Sequence, residues 1–166
     1  MRRFTVSLVA LAVAVAPLAL LPSAASAATP ATCRTSQLSL SKVSSDGAAG
    51  TIYNVWAFTN VSSRTCRMRG YPDLQRYGQG GRPFVTTERK VLSPNPTTVV
   101  LAPGGKASFV WSYSDVPQGN AEECTTSKVV GVRPPGRSAG LYIPFDVPNC
   151  STSIQVSAVA AGVITP

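Results

Sequence analysis

The sequence contains no histidine and only seven Asp and Glu residues. The first absence removes Ser-His-Asp and Cys-His catalytic designs and most metallohydrolase centres at once. The acids are Asp46, Asp73, Glu88, Asp115, Glu122, Glu123 and Asp146. A carboxylate pair for glycoside hydrolysis would have to come from these, but Asp46 sits in a turn signal and Glu122-Glu123 in a polar loop, which reads as solvated surface. No phosphate loop, dinucleotide fingerprint or calcium-loop repeat occurs. No two cysteines stand close enough for a C-x-x-C metal or redox motif. An enzyme is therefore not expected, and neither is a cofactor or a metal. Helical periodicity is missing as well. No stretch beyond residue 27 sustains it over three turns, and the scattered prolines oppose it.

What is present begins with an export signal. Arg2 and Arg3 form a positive start, Phe4 to Leu21 is uncharged and mostly apolar, and Ala25-Ser26-Ala27 offers small residues to a peptidase. Residues 1–27 are expected to be removed, with cleavage after Ala27 or, as the alternative, Ala28. No basic stop-transfer cluster follows, so no stable membrane anchor is expected. Of the fifteen Lys and Arg, two lie in this segment, so the remainder carries +6 against the seven acids. Residues 28–32 read as a short leader and 33–166 as one domain.

That domain is rich in Ser, Thr, Val, Pro and Gly, the composition of short strands and turns. Strands are expected over 37–43, 51–60, 67–71, 74–77, 84–89, 97–101, 106–113, 128–132, 141–145 and 154–159. The first two are read as a hairpin whose turn is the run Ser44 to Gly50, containing Asp46-Gly47 and centred near residue 47. The segment 51–60 is apolar on both faces, as in a central strand, and Trp56 is expected in the core. Ala107, Phe109, Trp111 and Tyr113 alternate with Ser108, Val110 and Ser112, the stripe of a sandwich's inner face. The whole predicts an all-β fold, an immunoglobulin-like β-sandwich of about eight or nine short strands. Strand count alone does not separate it from a barrel.

Cys33, Cys66, Cys124 and Cys150 make an even set in an exported chain, which reads as two disulfides. Three pairings are open to four cysteines. A hairpin turning near residue 47 leaves Cys33 and Cys66 just past its open end. Cys124 and Cys150 are centred on Arg137, inside the turn-rich run Pro134 to Gly140. The turns therefore favour Cys33–Cys66 and Cys124–Cys150.

The order Cys33, Gly50-Thr51, Phe58-Thr59-Asn60, Cys66, Gly70-Tyr71-Pro72, Leu101-Ala102-Pro103-Gly104, Cys124, Pro134-Pro135 and Cys150 resembles a domain of unknown function widespread in secreted proteins and lipoproteins of actinobacteria. The resemblance runs from Cys33 to about Val159. It implies a β-sandwich at or outside the cell envelope and transfers no functional residue. Lipidated members carry a cysteine at the cleavage site. This chain does not, which points to release from the membrane. The sequons Asn60-Val61-Ser62 and Asn149-Cys150-Ser151 carry no weight in a bacterium.

The one compositional feature above background is basic. Arg64, Arg67, Arg69, Arg76, Arg82, Arg89 and Lys90 lie within 27 residues, opposed only by Asp73 and Glu88. Arg67 and Arg69 share a strand face opposite Met68. Arg64, Arg67, Arg69, Arg76 and Arg82 are the candidate contacts to a polyanion, against the alternative of a merely soluble basic face. The expectation is a secreted, non-enzymatic module at the envelope, attracted to anionic wall polymer. Nucleic acid is not expected, since export removes it. The alternative is an extracellular protein partner, a secreted protease inhibited by a rigid loop. Pro134 to Gly140 or Pro117 to Glu123 would be that loop, with Arg137 as anchor.

Overall fold

A computed structural model describes residues 28–91, 95–117 and 124–165. The expected export signal, residues 1–27, lies outside them. Eleven strands follow in chain order: β1 (Leu38–Ala48), β2 (Thr51–Asn60), β3 (Cys66–Met68), β4 (Asp73–Tyr77), β5 (Thr87–Val91), β6 (Val99–Leu101), β7 (Lys106–Ser114), β8 (Thr125–Arg133), β9 (Leu141–Asn149), β10 (Ser153–Ser157) and β11 (Ala160–Ala161).

One sheet has the order β1-β2-β7-β10-β5, with β11 also on β7. A second has the order β4-β8-β9, and β3 pairs with β6. The triplets β1-β2-β7 and β4-β8-β9 correspond to strands A-B-E and C-F-G of an immunoglobulin sandwich. Their inward side chains form a single core with those of β3 and β6. β10 returns to the first sheet and carries β5 parallel on its outer side. The expected sandwich is thus present with eleven strands rather than eight or nine. β1 to β10 each fall on or overlap an expected segment, and the addition is β11, two residues that a period-2 pattern cannot register. The expected strand 67–71 shrinks to three residues because Gly70 takes φ +108° and Pro72 follows.

The aromatic stripe behaves as its alternation predicts. Ala107, Phe109, Trp111 and Tyr113 are all buried. Trp56 is fully buried, with its ring 5.5 Å from Trp111 and 5.4 Å from Phe145, both edge-on, an arrangement the ring quadrupoles favour. Pro144 and Pro148 fall in β9, which pairs only with β8 and so tolerates missing N–H donors.

The first hairpin turns later than expected. Ala48 pairs with Thr51, and the two loop residues Ala49 and Gly50 take φ +48° and +75°. Positive φ at both positions is the turn whose twist suits a two-residue hairpin. Gly50 is required twice over, since a Cβ there would lie 2.8 Å from Val116 Cγ2. Asp46 and Gly47 lie inside the strand pair, opposite Tyr53 and Ile52.

Both disulfides form as paired, Cys33–Cys66 and Cys124–Cys150. Cys124 and Cys150 occupy the next rung beyond Thr125 and Asn149 on the β8/β9 ladder, with Cα atoms 4.5 Å apart. Cys33 lies past the open end of the first hairpin, as expected, and is held there by β3. Its amide donates to Arg67 O at 2.8 Å, and the Arg67 amide donates to Ala31 O at 2.9 Å. The segment before β1 therefore runs alongside β3, so Ala31 and Thr32 of the expected leader already belong to the fold.

Candidate anion-binding cleft

Two local structures bring basic side chains together. β3 is short, but its alternation holds: Met68 points into the core while Arg67, half-buried, points away. Arg69 follows just past the strand on the same side. Its Nε donates to Pro96 O at 3.2 Å. The second structure is the turn Pro134-Pro135-Gly136-Arg137. Arg137 N donates to Pro134 O at 3.0 Å, and Gly136 takes φ +68°. Proline second and a positive-φ glycine third are what a type II turn requires.

Arg137 is aimed by its own hydrogen bonds. Nε donates to Cys33 O at 2.8 Å and Nη2 to Thr32 O at 2.9 Å. Cys33 is in turn bonded to Cys66, next to Arg67. The outcome is an open cleft of about 400 Å³ lined by Thr32, Arg67, Arg69, Thr98, Gly136 and Arg137, with Met68 and Pro135 completing it. Three arginines line it, and no carboxylate does among the described residues. Arg67 Nε is buried and has no hydrogen-bond partner among the described residues. A buried donor left unpaired costs on the order of 1–3 kcal/mol.

Four of the acids are engaged elsewhere. Asp146 pairs with Lys128 at 2.9 Å, Asp73 lies 3.8 Å from Arg133, Glu88 accepts the Leu74 amide, and Asp46 accepts the Gly47 amide. Burial pushes the Glu88 carboxyl up, against the opposing pull of the Leu74 amide. Glu122 and Glu123 lie outside the described residues. Among the described residues, no group of three or more Cys, Asp and Glu is placed to hold a metal, and no helix is long and apolar enough to cross a membrane.

Of the five arginines expected to contact a polyanion, the structure brings two together. Arg67 and Arg69 share the cleft. Arg64 is exposed in the loop after β2, where its carbonyl accepts from Asn60 Nδ2, and Arg82 is exposed beyond a tight turn at Gly78. Neither lines the cleft. Arg76 is fully buried and cannot present its guanidinium to a polymer. It shares a face of β4 with buried Leu74, and that alternation was readable in the sequence. Of the flanking basic residues, Arg89 lies on β5 and Lys90 sits over the Tyr71 ring at 5.6 Å. Arg137, read as the anchor of an inhibitory loop, is tied back onto Thr32 and Cys33 and faces the cleft. The other loop proposed for that role falls almost wholly on residues 118–123, outside the described residues.

The sequon at Asn60 has a structural role. Asn60 is buried, and Nδ2 donates to Arg64 O at 2.8 Å and Leu101 O at 3.0 Å.

Residues 33–162 fit the family model described as "Domain of unknown function (DUF4232)". No curated protein is matched by the chain.

Proposed function

The chain belongs to the DUF4232 family of domains of unknown function, which brings no activity with it, and we propose from its geometry an extracytoplasmic, non-enzymatic binding module for an anionic envelope polymer. The ligand lies across the cleft formed by Arg67, Arg69 and Arg137. The observation that carries this reading is the convergence of Arg67, Arg69 and Arg137 on one cleft that no carboxylate lines among the described residues. Export follows from the signal features of residues 1–27, and the two disulfides suit an oxidising compartment.

An open, basic cleft attracts a repeating polyanion through exposed charge rather than enclosure. Such binding is fast, weak and salt-dependent, because screening acts over about 8 Å at physiological ionic strength. Sedimentation with purified cell walls across a salt titration tests it. The parent protein is expected to sediment at low salt and to be released as salt rises. The Arg67→Ser, Arg69→Ser double variant is expected to fold, since Arg69 is exposed and the half-buried Arg67 points away from the core, and to remain in the supernatant. Equal sedimentation of variant and parent at every salt concentration overturns the proposal.

A further inference from the structure

β2 is apolar on its outward face as well as its inward one, and the arginine cleft does not explain why. In a two-layer sandwich the outward face meets water, so apolar side chains there need cover. The chain's own end supplies part of it. β11 pairs with β7, Gly162 N donates to Lys106 O at 2.9 Å, and Ile164 N donates to Ser108 Oγ at 2.9 Å.

The strand register grades this face from polar to apolar. One outward row across β2, β7, β10 and β5 is Thr51, Ser114, Ser153 and Thr87; the next is Tyr53, Ser112, Gln155 and Arg89. Two residues further on, about 7 Å along the strands, the row is Val55, Val110, Ser157 and Val91.

A groove of about 590 Å³ lies over the apolar part, lined by Tyr53, Val91, Val110, Val163 and Ile164. That volume is within the range of about 300–1,000 Å³ usual for small-molecule sites. Ser112 and Gln155 line it too, and they also line an adjoining cleft of about 340 Å³ with Thr51, Ser114, Ser153 and Arg89. Among the described residues, Arg89 is the single charged side chain lining either part.

We propose that this groove binds a single-chain, monoanionic amphiphile, a free fatty acid. Its carboxylate meets Arg89 among the hydroxyl groups, and its acyl chain runs over Val110 between Val91 and the Val163-Ile164 wall. One cation matches one negative charge, and a planar guanidinium pairs well with a planar carboxylate. An apolar trough between Val91 at the end of β5 and the segment Val163-Ile164 suits one flexible chain.

The test is calorimetric titration of the purified protein with decanoate, dodecanoate and tetradecanoate, each below its micelle-forming concentration, and with dodecanol. Affinity is expected to rise about fourfold per added methylene, the equivalent of about 0.8 kcal/mol per buried CH₂, at one ligand per protein. Arg89→Gln is expected to weaken dodecanoate about tenfold and leave dodecanol unchanged. Val163 is 54% exposed, so Val163→Glu should fold, and it is expected to weaken every ligand. The Arg67→Ser, Arg69→Ser variant is expected to bind dodecanoate as the parent does, which separates this site from the arginine cleft. Absence of saturable binding, affinity independent of chain length, or Arg89→Gln binding dodecanoate like the parent overturns the proposal.

Discussion

Arg76 Nη2 donates a 2.7 Å hydrogen bond to the Ser151 carbonyl, and this tie joins β4 to the segment between Cys150 and β10. Arg76 Nε and Nη1 have no partner among the described residues, although the side chain is fully buried. Burial pulls its pKa down, with the nearby Tyr113 acting in the opposite sense. A guanidinium stays charged at any physiological pH, so the core contains a poorly compensated cation.

Replacing such a buried charge by an apolar side chain of similar length often leaves stability unchanged or raises it. Arg76→Met is therefore expected to match or exceed the parent in urea unfolding. Arg76→Ala leaves a void as well and is expected to lose about 2 kcal/mol or more. A large loss in Arg76→Met would show that the guanidinium is compensated better than its hydrogen bonds indicate.

Glu88 supplies a pH dependence with a definite sign. Its folded pKa lies above the ordinary 4.5, with burial the main cause. The folded state therefore holds the proton more tightly than the unfolded chain. The associated stability is fully present below about pH 4.5 and is lost as pH rises through the folded value. Glu88→Gln keeps an acceptor for the Leu74 amide and removes the charge. It is expected to be more stable than the parent near pH 7, with the difference shrinking in acid. Chemical denaturation at the two pH values reads this directly.

Ala49 takes a positive φ in the β1/β2 turn, a conformation costing an alanine roughly 1 kcal/mol. Asparagine tolerates that region and is favoured before glycine in this turn. Ala49→Asn is expected to raise the thermal midpoint by a few degrees, and calorimetry checks it. Gly50→Ala is expected to lower it, both for the φ and for the 2.8 Å approach to Val116.

The two disulfides close loops of 33 and 26 residues, each stabilising by about 3.5–4 kcal/mol in the chain-entropy account. Their functional weight differs. Cys33–Cys66 holds the Thr32 and Cys33 carbonyls where Arg137 binds them, whereas Cys124–Cys150 locks the far ladder. Serine at Cys124 and Cys150 is expected to reduce stability while sparing wall retention. Serine at Cys33 and Cys66 is expected to reduce both, measured on samples shown to be folded by circular dichroism.

Local alternation made most of the fold legible. The stripe Phe109-Trp111-Tyr113 and the doubly apolar β2 announced a sheet interior, and they occupy it. Arg76 was misread because charge was weighed without period: Leu74, two residues earlier, already fixed its face. The first turn lies within the expected run Ser44 to Gly50, but it was centred too early because Asp-Gly is the stronger local signal. The two-residue turn falls instead at Ala49-Gly50, where Gly50 has no Cβ to strike Val116.

By itself the sequence determined the strand periodicity, the even cysteine set and the concentration of arginine between 64 and 89. These depend on side-chain spacing and covalent chemistry along a few neighbouring residues. Only the tertiary structure decided which arginines meet. Arg137 reaches Arg67 and Arg69 across some seventy residues of chain because the Cys33–Cys66 bond and the Arg137 hydrogen bonds to Thr32 and Cys33 bring the turn and β3 against the same segment. Residue spacing encodes which face a side chain takes. Which faces come together is set by burial and by the covalent closure of distant strands.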